Sequence, residues 1–229
     1  FRAGGINPQA FLFPGAPASY GPESLWNYEL GAKTRWLGGS IILNGAVYYI
    51  DWSDVIINAA TADPLFGFSV NGGKAHSVGV EFELDARPSD QLSLRLAGSY
   101  TNSEIDETFD IGNTQLVASE GAKLPLVPQL KINASAQYSF PVTDALNGLV
   151  RADVTYTDDS YSDILNTPEL KNSAYTTVNM RVGINGEFWE LFIFGNNLTD
   201  KQGQLITTFG DISTFITPRT VGAGLRLNY

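Results

Sequence analysis

The stretch PRTVGAGLRLNY, residues 218–229, decides the fold class of this chain. Successive side chains of a β-strand point to opposite faces. The odd-numbered residues from Val221 to Tyr229 are all apolar and end in an aromatic ring, whereas the even-numbered residues between them are two glycines, Arg226 and Asn228. A strand with one face in lipid and the other in water has this composition. The stretch therefore predicts a transmembrane β-strand.

The same two-residue period recurs along the chain. Residues 77–87, SVGVEFELDAR, carry Glu81, Glu83, Asp85 and Arg87 on one face and only apolar residues on the other. Strict alternation over such lengths is typical of strands with one apolar face. It predicts nine strands, at about residues 26–36, 41–53, 76–87, 91–104, 130–140, 148–158, 174–185, 189–198 and 217–229. In the second and eighth of these strands both faces are fairly apolar, so the sequence leaves their orientation open.

The connections between the predicted strands alternate between short and long. The short ones are 38–39, 88–90, 141–147 and 185–187, and the long ones are 54–75, 105–129, 159–173 and 199–216. Every long connection falls at one end of the sheet, as in outer-membrane barrels with short periplasmic turns and long outer loops. We expect the last strand to run inward and to leave Tyr229 at the periplasmic rim.

Composition narrows the class of protein further. The formal net charge of −10 and the lack of a basic stripe argue against nucleic acid as a partner. The chain has no cysteine, and no apolar run reaches the roughly 18 residues of a membrane-spanning helix. A soluble sandwich or lipocalin-like barrel would also alternate, but it would not explain the one-sided loops or so many inward charges. We therefore predict an all-β protein, a transmembrane antiparallel β-barrel.

The start of the chain shows no strand period. Residues 1–24 are rich in Gly and Pro, and Phe1 is not an initiator methionine. An odd number of strands would also leave two open sheet edges, which are unfavourable in lipid. We expect the chain to be the C-terminal part of a longer protein.

Several segments carry a more specific resemblance. They are, in order, PESLWNYELGAKTRW (22–36), LNGAVYYIDWSDV (43–55), NGGKAHSVGVEFEL (71–84), KLPLVPQLKINASAQY (123–138), AYTTVNMRVGI (174–184), LFIFGNNLTDK (191–201) and PRTVGAGLRLNY (218–229). With these segments the chain resembles the C-terminal barrel half of TonB-dependent outer-membrane receptors over nearly its whole length. NNLTDK followed by PRT and a terminal aromatic residue is the most specific match.

The resemblance implies a barrel of roughly 22 strands with a plugged lumen, of which residues 1–229 would be the C-terminal portion with the last nine strands. It implies a receptor in the Gram-negative outer membrane that uses TonB-derived energy to take up a scarce nutrient such as a ferric siderophore, without a cofactor. The expected partners are outer-membrane lipid, a small-molecule substrate, TonB through an N-terminal region missing here, and the barrel assembly machinery. In this family the last strand is recognised by that machinery, so Tyr229 is the expected assembly signal.

The only histidine, His76, could have a functional role, either as a ligand contact or as half of a hydrolytic pair with Ser77. Adjacent strand residues point to opposite faces, and general-base catalysis needs a nucleophile and an orienting partner within reach. We therefore favour an interfacial histidine and predict no catalytic residue.

The carboxylates offer a similar choice. Glu81 and Glu83 share one face and could suggest glycoside hydrolysis, but in a wide lumen we expect them to pair with Arg87, Arg95 or plug residues. Oxygen-rich loops can hold Ca²⁺, but the loop carboxylates lack the spacing of an EF-hand, so we expect solvated loops and no metal. These loop carboxylates are Glu104, Asp106, Glu107, Asp110, Asp158, Asp159 and Asp163.

Aromatic residues in the long connections could contact substrate at the mouth of the barrel, or could pack within the loops. They are Phe66, Phe68, Phe109, Tyr161, Phe209 and Phe215. The sequence does not choose among them, so the substrate-binding residues stay unknown. The sequon Asn197–Leu198–Thr199 is expected to have no meaning in a bacterial protein.

Two other functions remain open at this point. A passive porin or structural barrel would lack the upstream plug and TonB-binding segment that a receptor requires. An outer-membrane enzyme would need a hydrolase activity that His76→Ala abolishes.

Overall fold

The structure, a computed structural model, describes residues 1–8, 10–12, 16–60, 67–110, 117–208 and 212–227. Nine long strands form one antiparallel sheet in which each strand pairs with its neighbours along the chain. They are β1 (Ser24–Trp36), β2 (Ile41–Ser53), β3 (Ala75–Ala86), β4 (Leu92–Ile105), β5 (Leu130–Thr143), β6 (Leu146–Thr157), β7 (Tyr175–Asn185), β8 (Trp189–Asn196) and β9 (Thr220–Leu227). The nine predicted strands and their antiparallel arrangement are confirmed.

The predicted strand limits differ from the observed ones mainly at the end of β5 and at the start of β9. β5 continues to Thr143, beyond its predicted end at 140, because Pro141 lies where the register against β6 shifts and needs no ladder donor there. β9 begins at Thr220 rather than 217, because the Arg219 backbone N–H donates to the side chain of Asp200 instead of to a strand.

Tight turns join the strands at the end with short connections. The turn Leu37–Gly39 is a 3₁₀ turn in which Gly38 and Gly39 have φ angles of 66° and 101°. These backbone angles favour glycine because a Cβ atom would be strained there. The sequence GG at this point thus fixes the sharp reversal between β1 and β2.

The register settles the orientation of the two strands that the sequence left open. Val47 of β2 pairs with Leu30 of β1 and lies on the apolar, outward face. Ile193 of β8 pairs with Val182 of β7, so Phe192 on the opposite face points inward. Val47 and Ile193 are 52% and 61% exposed, as expected for a surface that lipid covers.

The long connections and the segment before β1 contain short paired strands that the sequence pattern does not reveal. Strands of two to five residues are too short to show a period, so alternation could not find them. The paired strands are Gly5–Ile6 with Ser19–Tyr20, Ile56–Ala60 with Gly67–Asn71, Phe109–Asp110 with Val117–Ala118, Ser160–Tyr161 with Lys171–Asn172, and Gln204–Thr208 with Ile212–Phe215. Two further 3₁₀ turns are Ala10–Leu12 and Pro168–Leu170. The described part of the chain contains no helix long and apolar enough to cross a membrane.

The buried apolar core lies among these connections and at the adjoining ends of β3 and β4, not on the sheet. It consists of Val55, Ile57, Phe68, Val70, Ala75, Ile105, Ala118, Leu124 and Ile164. We call the end of the sheet that carries this core the outer end. Among the described residues the buried apolar side chains lie at this outer end, whereas the apolar face of the sheet needs lipid to cover it.

Candidate functional site

The inward face of the sheet is polar and holds a cavity of about 680 Å³ beside β1–β5. Small residues line part of it, among them Gly31, Ala46 and Ala97. Charged and amide side chains also line it, namely Glu29, Lys33, Asn44, Glu81, Glu83, Lys131 and Asn133. Small and charged residues thus share the wall that faces the lumen of a barrel.

Ion pairs run across the inward face. Arg95 donates to Asp85 at 2.6 Å and lies 3.9 Å from Glu83, so of the predicted pairings the one between Glu83 and Arg95 is formed. Farther along the sheet, Arg151 makes three hydrogen bonds of 2.7–3.2 Å to the carboxylate of Asp153. These two arginines are therefore paired with carboxylates of the wall itself.

The last three strands combine charge with aromatic packing. Glu190 accepts from Arg181 at 2.5 Å and from Arg226 at 3.3 Å, which links β7, β8 and β9 through one carboxylate. The guanidinium carbon of Arg181 lies 3.7 Å from the centre of the Phe192 ring, a cation–π geometry. This cluster was not found from sequence, because the inward direction of Phe192 depends on the register.

His76 lies on the outward face at the outer end, where its ring stacks on Tyr49 with centroids 6.1 Å apart and bonds to the carboxylate of Asp106. Ser77 points inward and bonds to the hydroxyl of Ser103 at 2.7 Å. The hydrolytic pairing of His76 with Ser77 is therefore absent. The aromatic neighbour and the position beyond the apolar band agree with an interfacial histidine.

Several of the loop carboxylates have structural partners. Asp163 accepts from the backbone N–H and hydroxyl of Thr167 at 3.0 and 2.5 Å, and Asp159 forms an ion pair with Lys171 at 2.9 Å. The hydrogen bond to Asp159 and its negative charge raise the pKa of the Lys171 ammonium above its ordinary value. Among the described residues no group of three or more His, Cys, Asp or Glu side chains could hold a metal ion.

The candidate aromatic residues of the loops divide into three groups. Phe68 is buried and Phe109 packs against the same core, so these two pack within the loops. Tyr161 lies 5.8 Å below the ammonium of Lys171, and Phe215 is exposed. The remaining candidates, Phe66 and Phe209, lie outside the described residues, as does Tyr229.

The segment NNLTDK has a structural explanation. Asn197, at a left-handed φ of 48°, donates to the carbonyls of Lys201 and Thr217 at 2.9 and 3.1 Å and accepts from the Lys201 N–H at 2.9 Å. Asp200, at a φ of 52°, accepts from the Arg219 N–H at 3.0 Å. These bonds clip the end of β8 to the start of β9. The signal was present in the sequence, since Asn and Asp favour such turns.

Comparison with known proteins agrees with this architecture. The family described as TonB dependent receptor-like, beta-barrel, matches residues 1–198. The chain is 31% identical over 192 residues to the ferrichrome outer membrane transporter/phage receptor of Escherichia coli, covering 80% of this chain and 23% of that protein. It is 30% identical over 184 residues to the ferrioxamine B receptor of Salmonella typhimurium, covering 76% of this chain and 24% of that protein.

A solved structure shows the same fold. The ferric yersiniabactin uptake receptor FyuA from Yersinia pestis matches with a TM-score of 0.75 at 22% identity, over 92% of this chain and 31% of that chain. The chain belongs to the TonB-dependent receptor family and forms part of its β-barrel, in the outer membrane of Gram-negative bacteria. It spans about a quarter of the length of the curated relatives it matches. Members of this family are receptors and transporters.

Proposed function

We propose that the chain is the C-terminal wall, over residues 1–229, of an outer-membrane receptor for the active, TonB-energised uptake of a ferric siderophore. The observation that carries the proposal is the nine-stranded sheet with an apolar outward face and an ion-paired inward face. The names of the two curated relatives, receptors for ferrichrome and ferrioxamine B, support a siderophore as the substrate.

The remaining partners belong to the same proposal. TonB would bind a part of the parent protein outside this sequence, and the assembly machinery would bind β9 with Tyr229 as its signal. The chain would carry no enzymatic activity, which is supported by the opposite directions of His76 and Ser77. A passive porin is the alternative, and the absence of a plug domain from the full gene would favour it.

Uptake of radioactive iron tests this function. The full-length receptor is expressed in iron-starved cells that lack other siderophore receptors, with ferrichrome and ferrioxamine B as probes. We expect saturable uptake of at least one probe that disappears in a strain without TonB. Uptake that is linear with concentration and indifferent to TonB would support the porin, and no uptake of either probe would reject both as the substrate.

A further inference from the structure

The outer connections of the chain are joined to one another by hydrogen bonds, beginning with the segment before β1. The Asn7 side chain donates to the carbonyl of Ser69 at 2.8 Å and accepts from the N–H of Ser69 at 2.9 Å. The Asn71 side chain makes the same reciprocal pair with the backbone of Gly21, at 3.1 and 2.6 Å. Two amide side chains thus hold the first segment against the hairpin between β2 and β3.

The next two connections are joined in the same way. The Asn166 side chain accepts from the Lys123 N–H at 2.7 Å and donates to the Lys123 carbonyl at 2.9 Å. Close by, the Leu126 N–H donates to the carbonyl of Tyr161 at 2.8 Å. The connection between β4 and β5 is therefore bound to the connection between β6 and β7.

A buried polar network joins the last two connections. The Thr207 N–H donates to the hydroxyl of Ser162 at 2.8 Å, and the Thr207 hydroxyl donates to the side chain of Asn172 at 3.1 Å. Asn172 is 2% exposed and Thr207 is 5% exposed. Because buried polar groups are costly to leave unpaired, this network resists separation of the two connections.

An apolar core lies beneath these bonds. Ile57 and Phe68 come from the hairpin between β2 and β3, Ala118 and Leu124 from the next connection, and Ile164 from the one after it. Moving the connections apart would return this apolar surface to water, which is unfavourable. The bonds and the core together link every outer connection of the described chain to its neighbour.

We propose that these connections form one preformed rim that keeps its internal contacts while cargo binds. The proposal rests on the proposed function of a receptor for ferric complexes. A ligand moves a loop only by as much as its affinity differs between the two arrangements. A rim that is already ordered spends little of the binding energy on ordering loops, so cargo meets a rigid wall on this side of the mouth.

Two disulfide cross-links in the full-length receptor test the rim. Ser162→Cys with Thr207→Cys links one pair of connections, and Lys123→Cys with Asn166→Cys links another. In each pair a hydrogen bond of 2.7–2.8 Å joins the two connections, and this sequence has no cysteine of its own. The control is Tyr161→Cys with Lys171→Cys, which are Cα partners within a single hairpin.

We expect the oxidised and reduced forms of each variant to bind ferrichrome or ferrioxamine B with affinities within about 2-fold of each other, and to take it up at equal rates. The proposal is overturned by a loss of about 10-fold or more in the oxidised linking variants, but not in the control, that reduction restores. It is also overturned when the linking pairs fail to oxidise under conditions that oxidise the control.

Amide hydrogen exchange of the unsubstituted receptor separates this proposal from the proposed function. A preformed rim predicts that the amides of Ser69, Lys123 and Thr207 exchange as slowly as strand amides, with or without cargo. Rapid exchange of these amides overturns the rim even where uptake occurs. Slow exchange in a receptor that takes up neither probe upholds the rim and rejects ferrichrome and ferrioxamine B as its cargo.

Discussion

At the scale of single residues, two phenylalanine rings of β8 pack over two glycines of β9. A Cβ atom at Gly224 would lie 2.4 Å from the Phe192 ring, and one at Gly222 would lie 2.7 Å from the Phe194 ring. The rings thus occupy the space that side chains on β9 would fill, a packing that compensates for glycine within a strand. The inward glycines of the terminal strand are therefore required by the inward phenylalanines of β8.

Gly224→Ala should therefore destabilise the receptor by about 1–3 kcal/mol, the usual cost of overpacking. The Phe192 ring would have to move away from the new Cβ atom. Phe192→Leu in the same chain should therefore restore much of the lost free energy of unfolding. Gly31→Ala is the control, because its Cβ would meet the nearest atom, the Gly45 carbonyl oxygen, at an ordinary 3.4 Å. Urea unfolding of the full-length receptor in lipid vesicles measures all three. Equal losses at Gly224 and Gly31 would contradict the explanation.

Neighbouring residues of β2 distinguish the lipid face from the lumen face. Val47 points outward and Ala46 lines the inward cavity. Val47→Arg should cost about 2–4 kcal/mol near the middle of the bilayer, whereas Ala46→Arg should cost far less because its charge reaches water. The same unfolding assay compares the two variants. Equal tolerance of arginine at both positions would reject the assigned orientation.

At the scale of elements, the clip around Asn197 joins β8 to β9 across a connection of about twenty residues. Asn197→Ala removes three hydrogen bonds and places alanine at a left-handed φ, so we expect a loss of about 1–3 kcal/mol and faster proteolysis of the connection. Asn196→Ala, an exposed neighbour without a side-chain bond to the connection, is the matched control and should change little. Similar proteolysis of both variants would argue against the clip.

Elements differ in how far sequence alone predicts them. Seven of the nine long strands are predictable because each contrasts an apolar with a polar face over eight residues or more, and β2 and β8 because they are rich in Ile, Val, Phe and Tyr. The orientation of β8 is not predictable from sequence, because Phe192 and Ile193 are both apolar. Only the pairing of β8 with β7 and β9 shows which of the two faces inward. The outer hairpins are missed because their strands of two to five residues are too short to show a period, and because contacts such as that of Asn7 with Ser69 join segments distant in sequence.

At the scale of the whole molecule, the sheet divides into a band that lipid covers, a polar inner wall and an outer rim with its own core. Alternation within strands and the lengths of their connections predict the lipid-covered band and the polar inner wall, whereas the resemblance to TonB-dependent receptors rests on particular segments such as NNLTDK. The candidate site was less predictable. The Arg181–Glu190–Arg226 bridge joins residues on three strands, and the rim network joins connections far apart in sequence.

Cysteine labelling along β3 in the full-length receptor tests the division of the sheet most directly. Single cysteines replace Ser77, Val78, Val80, Glu81, Glu83 and Leu84 in turn, and intact outer membranes are treated with a small water-soluble maleimide. We expect labelling with a period of two, because Ser77, Glu81 and Glu83 face the lumen while Val78, Val80 and Leu84 face lipid. Uniform labelling along the strand, or labelling of the apolar positions alone, would contradict it.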